Sequence, residues 1–362
     1  MIHLPNLVID PDIRRADTLP GRFYTDPDVY LFQKERIFAR TWQCVGGQSG
    51  LGLEEVWPFT LLPGCLDEPL VLTRDAEGIS RCLSNVCTHR GNLVVTREGP
   101  CRGLRCEYHG RRFGLDGVMT TAPLFDGALD FPAHRDNLPV VTTGEWGPLT
   151  FASINPAIPF ETWIQPILQR VGFLPIRELV FHSQEDFQIE ANWALYCDNY
   201  LEGFHVPYVH PALGRALDYR AYTTETLPLG VLQIGEAADG VGTFTLPEGH
   251  PDGGRRIAAF YFWLFPNLML NLYPWGLSVN VVEPLGVTHT RIRYLTYVWP
   301  GITRTNTAGE MIDQTEMEDE AVVQSVQKGV RSRLYKSGRY APEHEVGVHH
   351  FHRLLCEWMQ RS

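Results

Sequence analysis

The sequence predicts an α+β protein in two parts, a small all-β antiparallel domain followed by a larger domain in which strands and helices mix. Three observations lead there. The chain has 362 residues, more than the ~250–300 at which a single core usually stops growing. Between Trp42 and about Asn155 the signals are short β-rich runs broken by turns, whereas helical spacing flanks that stretch on both sides. The composition, 44% hydrophobic and 20% charged, is that of a folded protein and not of a disordered or fibrous one.

From the N-terminus, Asp26 to Arg40 has helical spacing, with Val29, Phe32 and Ile37 apolar and Thr25 ahead of Asp26 as a cap. Pro69 to Thr73, the turn-forming Asp75-Ala76-Glu77-Gly78 and Ile79 to Val86 form a hairpin of the β domain. Phe160 to Leu174 is amphipathic and returns the chain to a helical layer. Ala258 to Leu277 has the length of a membrane span, but Pro266, Asn267, Asn271 and Pro274 interrupt it, so it reads as buried strands. The expected organisation is residues 1–40 as a segment packing with the later domain, 41–156 as the β domain and 157–362 as the larger domain. No fixed-period repeat or low-complexity segment supports a solenoid or a linker.

The net charge of −11, without any Lys/Arg-rich run, argues against nucleic acid or an anionic membrane as partner and permits a cationic substrate or carrier protein. The opening MIHLPNLVIDPDIRR lacks the features of a secretory signal, so the expected location is cytoplasmic. In that setting eight cysteines imply metal binding plus core thiols, not a disulfide framework. Cys44, Cys65, Cys82 and Cys101 are read as buried thiols.

Cys87-Thr88-His89 and Cys106-Glu107-Tyr108-His109 each hold one thiol and one imidazole, with sixteen residues between them. Residues two apart in extended backbone face one side, so both pairs can converge. The ligand types suit either a structural zinc or a [2Fe-2S] cluster with two thiolates on one iron and two imidazoles on the other. CTHRGN and CEYHGRRFGLDG resemble the cluster-binding loops of Rieske domains, a resemblance that covers about residues 41–156. Gly91-Asn92 and Gly110-Arg111 stand where respiratory Rieske proteins carry disulfide-forming cysteines, which points to the oxygenase branch. One departure is Arg111, where oxygenase loops commonly have Trp.

His205 and His210 lie five apart, which on an ideal helix leaves them about 140° apart. Pro207 cannot donate an amide hydrogen, so a break between them is expected, and with it convergence. Two imidazoles and a carboxylate make the facial triad that leaves positions open on Fe(II). DNYLEGFHVPYVHP resembles the iron-binding segment of Rieske oxygenases, whose third ligand is an Asp on a C-terminal helix. The match is Asp319 in EMEDEAVVQSVQKG, a helical pattern built on Ala321, Val322 and Val326, with Glu318 and Glu320 as neighbours that leave the carboxylate open. The family places an acid bridging the iron to the cluster of a neighbouring subunit at the position of Glu202. A carboxylate there can orient His205 and His109 through their ring N–H groups. Asp198 and Asn199 are outer-shell candidates. His349, His350 and His352 are read as packing and local hydrogen bonding.

The resemblance implies the oxygenase (alpha) component of a multicomponent system: a small all-β Rieske domain, a catalytic domain with an antiparallel sheet flanked by helices, a [2Fe-2S] cluster and Fe(2+). It also implies O2 as co-substrate and a homotrimer. No nicotinamide or flavin motif is visible, so electrons from NAD(P)H must come through a separate flavin-containing reductase, with or without a ferredoxin. DNYLEGFHVPYVH, FPNLMLNLYPWGLSVN and GRYAPEHEVGVHHFHRLL look most like choline monooxygenase and related quaternary-ammonium oxygenases, which implies hydroxylation or N-dealkylation of a quaternary ammonium or amine compound. Tyr200, Phe204, Tyr208, Phe262, Trp263 and Trp275 are the aromatic candidates for its pocket. The competing readings are an aromatic ring-hydroxylating or O-demethylating oxygenase and a purely electron-transfer Rieske protein. The last would not need His205, His210 and Asp319.

Overall fold

The first helix, α1 (Pro27–Arg36), is capped by Asp26 and not by Thr25: the Asp26 carboxylate accepts from the Asp28 amide, and Pro27 follows where its missing N–H costs nothing. It presents Val29, Tyr30 and Gln33 to the interior. The buried Gln33 carbonyl oxygen accepts from the Trp193 indole at 2.9 Å, which ties this segment to the second half of the chain. The computed structural model describes residues 7–46, 51–209, 222–237, 240–302 and 306–361, the side chains of 306–317 excepted. The chain divides into two compact units, Trp42–Pro156 and Met1–Thr41 with Ala157–Ser362.

The smaller unit is all β. Its strands are β1 (Gln43–Gly46), β2 (Glu55–Leu61), β3 (Glu68–Arg74), β4 (Ser80–Ser84), β5 (Gly99–Pro100), β6 (Leu104–Arg105), β7 (Arg112–Phe113), β8 (Met119–Thr121), β9 (Val140–Trp146) and β10 (Leu149–Ser153). Seven form one sheet in the order β1-β10-β9-β4-β3-β2-β5, and β6-β7-β8 form a small second sheet. The hairpin expected around Asp75 is β3–β4, paired from Leu70↔Ser84 to Arg74↔Ser80. Val56, Val71, Leu83, Val94, Leu104, Phe113, Leu115 and Leu138 form its core, and Cys87 and Cys106 are part of that core.

The larger unit carries α2 (Phe160–Val171), α3 (Trp193–Tyr200), α4 (Val206–Val209), α5 (Asn306–Val330) and α6 (Val346–Gln360). Its sheet runs β11 (Val180–Ile189), β17 (His289–Val298), β16 (Gly276–Gly286), β15 (Leu268–Tyr273), β14 (Ile257–Leu264), β13 (Gly230–Glu236) and β12 (Thr223–Leu227) in space. All of its pairings are antiparallel, so the fold class read from the sequence is the one observed. The apolar run from Ala258 folds as the buried strands β14 and β15. No helix among the described residues is long and apolar enough to cross a membrane.

The two faces of this sheet differ. Alternate residues point to opposite sides, and pairing aligns Leu232, Phe262, Leu270, Val279 and Leu295 in an apolar row. On the other face Gln233, Tyr261, Asn271, Ser278 and Thr296 form a polar row. Helix α3 lies on the polar face, where the Tyr196 and Tyr294 hydroxyls meet at 2.6 Å and the Tyr200 hydroxyl donates to Asn271 Oδ1 at 2.7 Å.

Candidate functional site

In the β unit, the two Cys/His loops share one backbone frame. Cys87 N–H donates to Asn92 O at 2.8 Å and Gly91 N–H to Cys87 O at 3.0 Å; Cys106 N–H donates to Arg111 O at 2.9 Å and Gly110 N–H to Cys106 O at 3.0 Å. Gly91 and Gly110 both have φ of 74°, the left-handed region that a side chain would strain. The histidine sits two residues after Cys87 in one loop and three after Cys106 in the other.

The frame buries both thiols and leaves the imidazoles outside, His89 half-buried and His109 exposed, with ring centroids 4.7 Å apart. Burial disfavours both thiolates. It pushes Cys87 up, whereas at Cys106 the amides of Tyr108 and His109, the Cys87 thiol and Asn92 together outweigh it and lower the pKa. Among the described residues no single point is surrounded by three or more His, Cys, Asp or Glu ligands. A sulfur pair and a separate imidazole pair suit a two-iron cluster, which takes two ligands per iron, better than one tetrahedral zinc. Cys44, Cys65 and Cys82 are buried, and Cys101 is half-buried with its thiol on Gly103 O.

In the larger unit, α3 is capped by Asn192, whose side chain accepts from Ala194 N. The Asn192 N–H in turn donates to Gln327 Oε1 of α5 at 2.7 Å. Helix α3 ends at Leu201, and α4 starts directly after His205, so Pro207 does not separate two helical pieces as its chemistry suggested. It occupies the first turn of the new helix, where no N–H is needed. The break falls at Leu201–His205 instead.

That break is organised by Glu202. Its Oε2 accepts from the amides of Phe204 at 2.7 Å and His205 at 3.1 Å, and its Oε1 holds His205 Nδ1 at 2.6 Å. On the other side of the ring, Nε2 is 3.5 Å from Asp319 Oδ1. Burial works against a charged His205, yet Asp319 and Glu202 outweigh it and push its pKa up to about 9. The His205 ring is thus held between two carboxylates, Glu202 at Nδ1 and Asp319 at Nε2. His210 lies outside the described residues.

Helix α5 explains why Asp319 faces inward. The buried positions are Val323, Gln327 and Val330, not the stripe of Ala321, Val322 and Val326 expected from the pattern; Val326 is 42% exposed. Asp319 lies four residues before Val323 on the same stripe. Glu318 and Glu320 point to either side of it, and burial followed by the Asp319 charge pushes the Glu320 carboxyl up.

The remaining candidates separate. Asp198 accepts from Tyr24 at 2.9 Å and holds His352 Nε2 at 2.8 Å, while His352 Nδ1 meets the Tyr340 hydroxyl at 2.6 Å. His349 and His350 bond the carbonyls of Asp10 and Leu227, so the tail histidines bond to partners far away in sequence and not local ones. Asn199 is half-buried on α3. Tyr208 is 82% exposed, Phe262 belongs to the opposite face of the sheet, and Trp263 is fully buried against Phe351. Phe204 lies against His344, and Trp275 stacks on Tyr273 at 5.0 Å.

Tyr200, and Trp275 through Tyr273, join a half-buried tyrosine group that the sequence reading missed. Tyr222 and Tyr261 have ring centroids 6.3 Å apart, and Tyr261 and Tyr273 are 5.8 Å apart. Burial raises Tyr200 and Tyr222 well above the usual phenol value, with the other tyrosines adding to it, and pushes Tyr261 up to about 12. All three are half-buried. The Glu202 charge reaches Tyr222. The missed signal was alternation: Tyr261, Asn271, Ser278 and Asn280 interrupt otherwise apolar strands on one face.

Two family models match the chain: Rieske [2Fe-2S] domain over residues 41–132 and ring hydroxylating alpha subunit (catalytic domain) over residues 176–361. Chloroplastic choline monooxygenase from Beta vulgaris is 31% identical, covering 97% of this chain and 79% of that protein. The carnitine monooxygenase oxygenase subunit of Escherichia coli (strain K12) is 29% identical, covering 95% and 94%. Among solved structures, the quaternary ammonium Rieske monooxygenase CntA with its substrate L-carnitine superposes with a TM-score of 0.78 at 25% identity, covering 99% of both chains. Naphthalene 1,2-dioxygenase from Rhodococcus sp. shares the fold, with a TM-score of 0.74 at 18% identity over 94% of each chain.

Proposed function

The chain belongs to the Rieske non-haem iron oxygenase alpha subunits, and from that membership we propose that it is a terminal monooxygenase acting on a quaternary ammonium compound. The observation that carries the substrate class is the group Tyr200, Tyr222 and Tyr261 beside Glu202 and His205. Aromatic faces attract a cation that cannot donate hydrogen bonds, and neutral phenols held by burial keep those faces available. Burial pushes the Glu345 carboxyl up and the charges of Glu202 and Asp198 add to it, so negative charge gathers here and favours a cationic ligand. Relatives named for choline and carnitine, matched over 79% and 94% of their own length, support the same reading.

Cys87, His89, Cys106 and His109 are the proposed cluster ligands, and His205, His210 and Asp319 the proposed iron ligands. When bound, the cluster stores single electrons and the iron activates dioxygen. The chain's own part is positional. Glu202 holds His205 Nδ1, which would leave Nε2 as the atom that binds an iron. Asn271 and Gln233 anchor Tyr200 through its hydroxyl and its carbonyl.

Electrons then come from a separate reductase, and the proposed assembly is a homotrimer closing head to tail. Exposed His109 of one subunit would meet Glu202 of the next, whose carboxylate oxygens have lone pairs beyond those used on His205. Oxygen uptake with a surrogate reductase tests the substrate class: coupled uptake and aldehyde or amine release with choline- or carnitine-like cations supports it. Turnover confined to aromatic acids would overturn it in favour of ring hydroxylation or O-demethylation. Glu202→Gln should keep both metals yet slow cluster-to-iron electron transfer, and an unchanged single-turnover rate or an active monomer would remove the bridging role.

A further inference from the structure

Arg111 carries a charge in a place where charges are rarely left. It is only 3% exposed. Its Nη1 donates to Thr88 Oγ1 at 3.0 Å, which lies between the two ligands of the first loop, while its own carbonyl accepts from Cys106 in the second. The nearest carboxylate, Asp136, stands off at 3.9 Å, and Nε has no hydrogen-bond partner among the described residues. The guanidinium instead lies 4.8 Å from the centroid of Phe125 and 5.3 Å from that of Phe131, two rings stacked on each other at 4.7 Å. Phe125 also meets the His89 ring edge-on at 5.2 Å. The position where related loops commonly carry Trp thus holds a cation, and the aromatic surface comes from two phenylalanines of another loop.

A buried cation with so little neutralisation is costly unless something nearby becomes negative. The bound cluster does so: one electron enters, no bond forms or breaks, and the site gains one negative charge. We propose that Arg111 is a potential-setting residue, stabilising the reduced cluster and so raising its reduction potential, with Phe125 and Phe131 excluding the water that would screen it. The inference rests on the cluster assignment. It adds a determinant of electron flow that the ligand set alone does not contain.

The test is a dye-mediated redox titration of the purified full-length protein, followed by visible and paramagnetic-resonance spectra at fixed pH. The wild-type spectrum comes first: absence of a two-iron signal refutes the cluster assignment itself, separately from the role of Arg111. Given the signal, Arg111→Met should lower the reduced-to-oxidised ratio at a given potential roughly tenfold, ~59 mV for one electron, and salt should hardly change the shift because the charge is buried. Arg111→Lys should stay within about threefold of wild type, and the exposed Arg112→Gln should shift less than Arg111→Met. If Arg111→Met does not load its cluster, Asp136→Asn decides, because removing the opposing anion must shift the potential upward. An unchanged potential in Arg111→Met, an equal shift in Arg111→Lys, or a downward or absent shift in Asp136→Asn would overturn the proposal.

Discussion

The two regions proposed to hold metal are built on different principles. Each cluster loop closes on itself within six residues, Cys87 to Asn92 and Cys106 to Arg111, and both use the same pair of backbone hydrogen bonds. The proposed iron region joins distant segments: Glu202 frames His205 locally, but His205 and Asp319 are 114 residues apart (319 − 205) and come from a loop and a long helix held together through Gln327 and Asn192. Local frames tolerate changes elsewhere in the chain. A non-local constellation depends on every contact that sets helix position.

The sharpest break in that comparison comes from the cluster side. Cys87→Ser or Cys106→Ser should abolish the cluster spectrum and all turnover while iron still binds the larger unit, read by metal analysis with acid-labile sulfide. A retained cluster spectrum would show that the loops do not hold it. Next, His205→Ala or Asp319→Ala should cost more than the ~10–100-fold typical of a lost outer-shell partner, with the cluster spectrum unchanged. If Asp319→Ala turns over normally and Glu320→Ala does not, the third ligand is Glu320.

Legibility followed the same division. The Rieske domain and its two Cys/His loops could be read directly, because residue type, spacing and glycine placement all lie within a few positions. The inward face of α5 could not. Ala321, Val322 and Val326 look as good a stripe as Val323, Gln327 and Val330, and the choice is made by packing against α3, where a buried glutamine serves better than an exposed valine. The tyrosine group was hidden for a related reason: Tyr222, Tyr261 and Tyr273 come together only through strand register and a residue outside the strands. Pro207 was informative about helix grammar, but it marks a beginning where a break was expected.

A smaller effect probes the clasp. Gln327→Ala leaves the buried Asn192 N–H without its acceptor and should cost about 1–3 kcal/mol in denaturant unfolding, with a weaker hold on iron and an unchanged cluster. Loss of cluster before iron would contradict the separation of the two regions. The smallest effect is acid sensitivity of α6. Burial holds the pKa values of His349 and His350 below the usual imidazole value. The unfolded chain therefore binds protons first, and stability present above ~6.5 is lost as pH falls from there toward the lowered folded values. The metal-free protein should melt earlier at about pH 5.5 than at about pH 7.5, and His349→Gln with His350→Gln should reduce that difference; an undiminished difference would locate the sensitivity elsewhere.

The Gln327 clasp also limits how this chain can drift in length over evolution. One residue added to a helix turns everything beyond it by about 100°. Asp319 and Gln327 sit eight residues apart on one stripe of α5, with Gln327 pinned to Asn192. An insertion ahead of Asp319 leaves their relation intact and is absorbed where α5 begins. A single insertion between them swings the carboxylate off the stripe and presents a neighbouring side chain in its place. Descendants of this chain should therefore vary in length before residue 319 and keep the 319–327 interval fixed, a ruler written in helix phase.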